Sequence, residues 1–359
     1  LIAIALLTRL WGLGIRVQSH DESLHTKYSW NLYDGQGFQH TPLMHGPFLF
    51  HATALSYFLF GDNDFTARLA VAVMGVAVVA FPYLLRRWLG RIGALVASVF
   101  LLISPSIAYY SRYIRHDIPV MLWALIVVFA IFSYLRDGRE RWLLWMAAGI
   151  SLMFATKEVA FIYSAIFGFF LVGLFGRQAL VQDWGDNEGL KRLVGVALVG
   201  VGVGVVIAGL GVLSQGGSDP ESQSALPWWA LVGGAVAAGG LLAAVSMVLV
   251  ATWQNLRSYR SFDLIILLGT LCLPFLAPIL IQLVGLDPVD YTAPTMVYSG
   301  AILAAVFAVS AIIGLAWNWR IWSIAAGIHY AIAVTLFTTV FTNGGGIASG
   351  FVGSIGYWL

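Results

Sequence analysis

Runs of about 20 apolar residues recur along almost the whole chain, and most charged residues lie in the stretches between them. A run of this length crosses the hydrocarbon core of a bilayer as one α-helix, whereas the strands of a membrane β-barrel give only a weak alternating pattern. Charged residues make up 10% of the chain, against about 25% in soluble domains. The sequence therefore predicts an all-α polytopic membrane protein.

We predict about eleven transmembrane helices. They cover residues 1–17, 65–85, 92–110, 118–135, 142–156, 159–176, 193–213, 228–251, 262–284, 296–316 and 321–341. Two stretches in the polar first loop, 23–34 and 46–61, are too short to span, and we expect interfacial helices there.

The distribution of Lys and Arg predicts which loops share a side of the membrane. Twelve of these residues fall in one set of alternate loops and six in the other, while Arg9 lies within the first span. The positive-inside rule places the richer set in the cytoplasm. The loops that hold Asp21, residues 112–117 and Lys157 then share the non-cytoplasmic face, together with eleven of the 17 acidic residues. Basic residues retained on that face suggest an anionic ligand.

The polar segments also divide the chain. We expect a membrane module over 1–176, with an outer loop at 18–64, and further transmembrane helices over 177–359. The cytoplasmic loop 177–192 is the expected seam. The sequence lacks an initial Met and ends in an aromatic stretch, so we expect the natural chain to extend further, at the C-terminus in particular.

The first candidate site is the acid pair Asp21-Glu22 within Ser19-His20-Asp21-Glu22-Ser23. Polar clusters between membrane spans are functional candidates because they are costly near hydrocarbon. A carboxylate at the mouth of a membrane cavity can act as general base toward a hydroxyl, and a second acid can raise its pKa or bind the acceptor. The alternative is a solvated loop in which Ser19 or Asp21 caps a helix.

The second candidate is Ser111-Arg112-Tyr113-Ile114-Arg115-His116-Asp117. Two arginines and a histidine at a span boundary are well suited to bind a phosphate, since one guanidinium group can donate two parallel hydrogen bonds to phosphoryl oxygens. Asp117 stands at the start of the next helix, where it could cap it. The alternative is a structural ion pair between Arg112 and Asp117.

The third candidate is Lys157-Glu158, which interrupts a long apolar stretch. Lys157 is either a second phosphate contact or the ion-pair partner of Glu158. For the histidines, no pair has the helical spacing of a metalloprotease motif. A divalent cation held by His20, Asp21 and His25 stays open as an alternative, and otherwise no cofactor is expected. The single Cys272 excludes a disulfide framework within the chain.

These residues together resemble the GT-C membrane glycosyltransferases, in the branch of the protein O-mannosyltransferases and the aminoarabinose transferases of lipid A. The resemblance rests on an acid pair in the first outer loop, an Arg-x-x-x-x-Asp motif that opens a span, and a lysine at the next outer boundary. The residue sequences of these motifs are also similar to those of a prokaryotic group of flippase-activity-associated proteins. The segments that carry it are His20–Ser23, His45–Pro47, Phe65–Leu69, Ser111–Asp117 and Phe341–Asn343.

The resemblance implies a GT-C-type bundle and roles for single residues. Asp21 would be the general base or the acid that positions the acceptor, and Glu22 would bind the acceptor. Arg112 would contact the phosphate of a polyprenyl-phosphate sugar, with Asp117 orienting that arginine and Lys157 as a second anion contact.

Supporting roles and departures from the family pattern follow from the same resemblance. Arg68 would hold the outer loop in place, and His45 lies in a matching motif. Arg115-His116 stands where the mannosyltransferases have two apolar residues, so recognition of the donor head group would differ. No sizeable soluble C-terminal domain is visible in the sequence.

The predicted function is transfer of a sugar from a lipid-phosphate donor to a lipid, protein or glycan hydroxyl, with inversion, at the outer face of a prokaryotic plasma membrane. Membrane lipids and a larger membrane complex are the other expected partners, and nucleic acid is not. Two alternatives stay open. One is a non-catalytic scaffold or accessory subunit with this fold, and the other is a flippase for a lipid-linked sugar, which would place its charges at mid-membrane.

Overall fold

The computed structural model describes residues 1–182, 188–213, 228–252 and 258–359. Over these ranges the chain is helical, with no β-strand. Six helical segments in the described part are long and apolar enough to cross a membrane. They are Asp64–Tyr83, Asp117–Asp137, Ala160–Val181, Gly189–Ile207, Arg260–Leu283 and Thr295–Phe337. The all-α polytopic prediction is confirmed, whereas the count of about eleven spans stays a prediction.

Fourteen main helices lie in the described residues. In chain order they are α1 Ile2–Leu10, α2 His20–Tyr33, α3 Phe48–Phe60, α4 Asp64–Ala80, α5 Arg86–Ile103, α6 Pro105–Tyr110, α7 Asp117–Asp137, α8 Arg141–Phe154, α9 Ala160–Val181, α10 Glu188–Leu213, α11 Trp228–Thr252, α12 Arg260–Cys272, α13 Ala277–Leu283 and α14 Thr295–Phe337. A short helical segment, Gly346–Gly356, follows. The predicted seam 177–192 lies partly outside the described residues, and residues 214–227, between two of the predicted spans, lie wholly outside them.

Two helices differ from the predicted spans for local reasons. α1 is only nine residues long, because the chain turns after it, with Gly12 at a positive φ of 62°. α14 is interrupted at Asn318, where φ is −158° and ψ is 95°. The Asn318 Oδ1 atom accepts a hydrogen bond from the Ile321 amide at 3.2 Å, as an N-cap residue does. The predicted spans 296–316 and 321–341 lie on either side of this break.

The chain divides into two compact units, Leu1–Gly168 with Leu264–Leu359, and Phe169–Asp263. The first unit has a core in which α3, α4 and α7 bring together Leu49, Val71 and Ile118, all fully or almost fully buried. In the second unit α10 packs closely on α11, since a Cβ on Gly204 would meet backbone atoms of Gly233 and Ala237.

The first unit gathers several helix ends at one place. α2 opens with a capping box in which the Ser19 and Glu22 side chains each accept from the other residue's backbone amide. The beginnings of α2, α4 and α7 and the end of α8 meet there through side chains described below. These are the ends that carry the residues predicted to form the site.

Candidate active site

Four charged side chains form a continuous cluster at this end of the first unit, here called the charged cluster: Asp21, Arg115, Asp117 and Lys157. Arg115 donates a hydrogen bond from Nη1 to the Asp21 carboxylate. The Arg115 Nε atom lies 3.5 Å from Asp117 Oδ2, and Lys157 Nζ donates to Asp117 Oδ1 at 2.8 Å. The side chains are 17% to 45% exposed. The cluster is therefore held in place by its own ion pairs and is still accessible to a ligand.

Glu22, next to the candidate base, is part of the interior. Its side chain is fully buried and lies 2.9 Å from Arg68 Nε and 2.7 Å from Arg16 Nη2. Burial raises the pKa of the Glu22 carboxyl, but the bonds from Arg68 and from the Ser19 and Ile114 amides outweigh it, so this pKa is lowered overall. The acceptor-binding role predicted for Glu22 does not fit this burial. Glu22 ties together the starts of α2, α4 and α7.

Arg68, for which the resemblance implies a supporting role, lies near the start of α4. It is fully buried, and besides the two bonds to Glu22 it donates from Nη1 to the Leu13 carbonyl at 2.9 Å. The chain segment before α2 is thereby fixed to α4.

Arg112 points away from the charged cluster. It donates to the Thr8 carbonyl at 2.8 Å and the Gly12 carbonyl at 3.2 Å, at the end of α1. The predicted contact between Arg112 and Asp117 does not form in the described part of the chain, and the alternative of a structural ion pair between them fails for the same reason. The segment between α6 and α7 is a series of turns, so Arg112 and Arg115 face different partners. Asp117 is the first residue of α7 but makes no capping bond.

Lys157 and Glu158 do not pair with each other, since the Glu158 carboxylate takes a histidine as its partner. Glu158 Oε2 lies 2.6 Å from His45 Nδ1. His45 adopts φ 64° and ψ −165°, a region that favours glycine and costs about 1–3 kcal/mol for other residues. The next residue, Gly46, runs so close to the end of α8 that a Cβ would overlap the Ala155 carbonyl. The loop before α3 thus packs directly beside Lys157.

A pair of buried histidines lies under the charged cluster. His25 Nδ1 donates to the backbone carbonyl of Asp21 at 2.6 Å, and its Nε2 lies 3.1 Å from His116 Nε2. Burial lowers the pKa of both rings, so His25 is neutral at neutral pH and its Nε2 is an acceptor. His116 must then donate from Nε2, which leaves its Nδ1 lone pair without a partner. The pair holds the first turn of α2, and with it Asp21, against α7.

No group of three or more His, Cys, Asp or Glu side chains within the described ranges is arranged to hold a metal ion, and this includes His20, Asp21 and His25. The His25 ring nitrogens are both directed at other partners.

Two contacts near the site were not predicted from the sequence: the ion pair of Arg16 with Glu22, and the hydrogen bond between Ser19 and Tyr113. Arg16 lies over the rings of Tyr109 and Tyr113, at 5.5 and 5.0 Å. The hydroxyls of Ser19 and Tyr113 share a hydrogen bond. The sequence feature that could have indicated the first contact is Arg16 itself, a basic residue on the side of the membrane that is predicted to be rich in acidic residues. Its partner, 6 residues on, could not be read from the spacing because the chain turns between them.

Residues 44–201 match the family model of dolichyl-phosphate-mannose-protein mannosyltransferases. This segment includes Arg115, Asp117 and Lys157, whereas Asp21 lies before it. The structure of ArnT from Cupriavidus metallidurans in the apo state is 18% identical, with a TM-score of 0.43, covering 98% of this chain and 76% of that one. No curated protein matches the chain at a significant level.

The family match confirms the resemblance to the GT-C membrane glycosyltransferases that the sequence motifs indicated. The chain is thus similar to membrane enzymes that transfer sugars. The likeness to ArnT is too distant to assign roles to single residues.

Proposed function

We propose that this chain is a membrane glycosyltransferase that moves a sugar from a polyprenyl-phosphate donor to a hydroxyl acceptor, at the non-cytoplasmic face of a prokaryotic plasma membrane. The observation that supports it most is the bond between Asp21 and Arg115. It places a carboxylate able to take a proton beside a cation able to bind a phosphate. The matched family, by its description, uses a lipid-phosphate sugar as donor.

The proposed reaction is a single displacement. The acceptor oxygen attacks the anomeric carbon while Asp21 takes the proton of its hydroxyl. The bond from the anomeric carbon to the phosphate oxygen breaks, and the polyprenyl phosphate leaves with the electron pair. One displacement inverts the configuration at the anomeric carbon.

The phosphate would be bound by Arg115 and Lys157, which are both in the charged cluster, rather than by Arg112. Cations that are already oriented stabilise the charge that develops on a leaving group without further reorganisation. Asp117 lies between the two cations, at 3.5 Å from Arg115 Nε and 2.8 Å from Lys157 Nζ. It would position them so that both face the same phosphate.

The remaining residues of the site support this geometry. Glu22 and Arg68 would fix the start of α2, which carries Asp21. The buried His25–His116 pair would hold the same helix start against the beginning of α7. His45 and Glu158 position the loop beside Lys157. The module 1–176, which carries all of these residues, would therefore be the catalytic part.

The test supplies labelled polyprenyl-phosphate sugars and membrane acceptors to proteoliposomes that contain the full chain. We expect transfer of label, with a product of opposite anomeric configuration to the donor by NMR. Product of retained configuration would contradict the single displacement. No transfer from any donor in a broad panel would favour the scaffold alternative, and donor movement across the bilayer without transfer would favour the flippase.

A further inference from the structure

Five arginines converge at the opposite ends of the helices that carry the candidate active site. α7 begins with Asp117 at the active site and ends at Arg136 and Asp137. At about 1.5 Å per residue, its 21 residues separate the two ends by about 31 Å. α8 likewise runs from Arg141 toward Lys157. A ligand at the arginine end would therefore lie across the membrane from the charged cluster.

The arginines line a cavity of about 680 Å³, within the size range of small-ligand pockets. We call it the arginine pocket. Its wall holds a single acidic residue, Asp137, beside the basic ones; the full lining is Leu84, Arg86, Arg87, Phe129, Ser133, Arg136, Asp137, Arg139, Arg141 and Trp142. The pocket thus carries a large excess of positive charge.

Asp137 positions two of the arginines, but its single negative charge cannot neutralise the five positive charges that line the pocket. It lies 3.3 Å from Arg136 Nη2 and 3.8 Å from Arg139 Nε, and it accepts from the Trp142 indole at 2.9 Å. Gly138, in a left-handed conformation, ends α7 and turns the chain back so that Arg139 lies near Arg136. One carboxylate and a tight turn hold several guanidinium groups around one space.

A second, independent feature of the pocket is Ser133. Its side chain is 1% exposed, and its hydroxyl has no hydrogen-bond partner. A buried hydroxyl without a hydrogen-bond partner is destabilising, and such groups are normally satisfied by protein, water or ligand. Ser133 lines the arginine pocket, where it can donate to an oxygen of a bound anion.

We propose that the arginine pocket binds the phosphate of an anionic membrane lipid. A guanidinium group can donate two parallel hydrogen bonds to the oxygens of one phosphate. Basic pockets between transmembrane helices bind anionic lipid head groups. The place of the pocket favours a lipid over a free phosphate. It begins where two candidate spans end, at Tyr83 and Asp137, at the depth of a lipid head group. Leu84, Phe129 and Trp142 supply apolar surface for the glycerol and the first acyl carbons.

The test titrates the full chain, purified in a neutral detergent, with short-chain phosphatidylglycerol, phosphatidylcholine and inorganic phosphate, and follows binding by microscale thermophoresis. We expect phosphatidylglycerol to bind saturably, at least tenfold more tightly than either other ligand. Arg87→Gln should weaken this binding about tenfold and Ser133→Ala by a few fold. Arg320→Gln, which removes an exposed arginine from α14 outside the pocket, should change it less than twofold.

Three results would overturn the proposal. Equal affinity for phosphatidylglycerol and phosphatidylcholine would remove the preference for an anionic lipid. Inorganic phosphate that binds as tightly as the lipid would show that the pocket takes free phosphate instead. A loss on Arg320→Gln as large as that on Arg87→Gln would show attraction to net charge alone. Thermal unfolding of each variant checks folding, and Ser133→Ala keeps the test valid if Arg87→Gln does not fold.

Discussion

The Arg68 Nε atom lies 2.9 Å from Glu22 Oε1, and neither side chain is exposed to solvent. This pair joins α2 to α4 directly below the charged cluster. Breaking a buried pair leaves the other charge uncompensated, at a cost of about 3–5 kcal/mol. The pair is therefore a connection between the first polar loop and the helix bundle that is costly to break.

The first prediction concerns this pair. Glu22→Gln should lower the thermal unfolding midpoint strongly, because Arg68 keeps its charge and loses its partner. Removing both charges with Glu22→Gln and Arg68→Met should recover part of the loss. The matched control is Glu140→Gln, the same change at an exposed position. Equal midpoints for Glu22→Gln and Glu140→Gln would show that the pair does not stabilise the protein.

The second prediction separates the two arginines of the motif. Arg115→Ala should lower kcat about 10²- to 10³-fold, as loss of one donor to developing charge does. Arg112→Ala should instead lower the unfolding midpoint, since its bonds go to the Thr8 and Gly12 carbonyls, and should leave kcat within a few fold. Steady-state kinetics beside thermal unfolding measures both effects. A larger kcat loss for Arg112→Ala would return the phosphate role to that residue.

The third prediction concerns pH and His40. Burial lowers the pKa of His40 to about 4, below its value of about 6.5 in the unfolded chain. The unfolded state then binds more protons between these values, so the contribution to stability is complete above pH 6.5 and is lost as the pH falls toward 4. For His40 alone the loss at pH 5 is about 2 kcal/mol.

The measurement for His40 is the unfolding midpoint at pH 5 and pH 7. His40→Asn cannot titrate in this range and can keep the hydrogen bond that His40 Nδ1 shares with Ser349 Oγ. We expect a smaller drop in midpoint for the variant than for the parent chain. An equal or larger drop would show that His40 does not cause the acid sensitivity.

The fourth prediction concerns Gly46, which runs against the last residues of α8. Gly46→Ala should cost about 1–3 kcal/mol, as overpacking does, because the new Cβ meets the backbone of Ala155 and Thr156 rather than a flexible side chain. It should also reduce transfer by displacing the loop beside Lys157. The matched control is Gly173→Ala, because a Cβ at this position meets nothing within 4 Å. Gly35 is unsuitable as a control because its φ is positive. Similar stability for the two variants would contradict the proposed close approach.

The sequence alone predicted the features that depend on the length of apolar runs and on the positions of charged residues. Apolar length predicted the six candidate spans of the described residues and the two short helices of the first loop, whereas the count of about eleven spans stays a prediction. Asp21, Arg115 and Lys157, predicted from three separate loops, lie in one cluster with Asp117.

The pairing of side chains could not be predicted in the same way. The different partners of Arg112 and Arg115 depend on turns between α6 and α7 that spacing does not reveal. The burial of Glu22 depends on Arg68, 46 residues away, and the partner of Glu158 is His45, 113 residues away. Such partners are set by how helices pack, which hydropathy describes only coarsely.

The proposed role of Asp21, to take the proton of the acceptor hydroxyl, is tested by the single-turnover rate of transfer by Asp21→Asn. The matched control is Asp34→Asn, the same change at an exposed aspartate whose side chain accepts from Gln36. We predict a rate about 10²- to 10⁴-fold below that of the parent chain for Asp21→Asn, and an unchanged rate for Asp34→Asn. A folded Asp21→Asn variant that transfers sugar at the parental rate would show that Asp21 is not the general base.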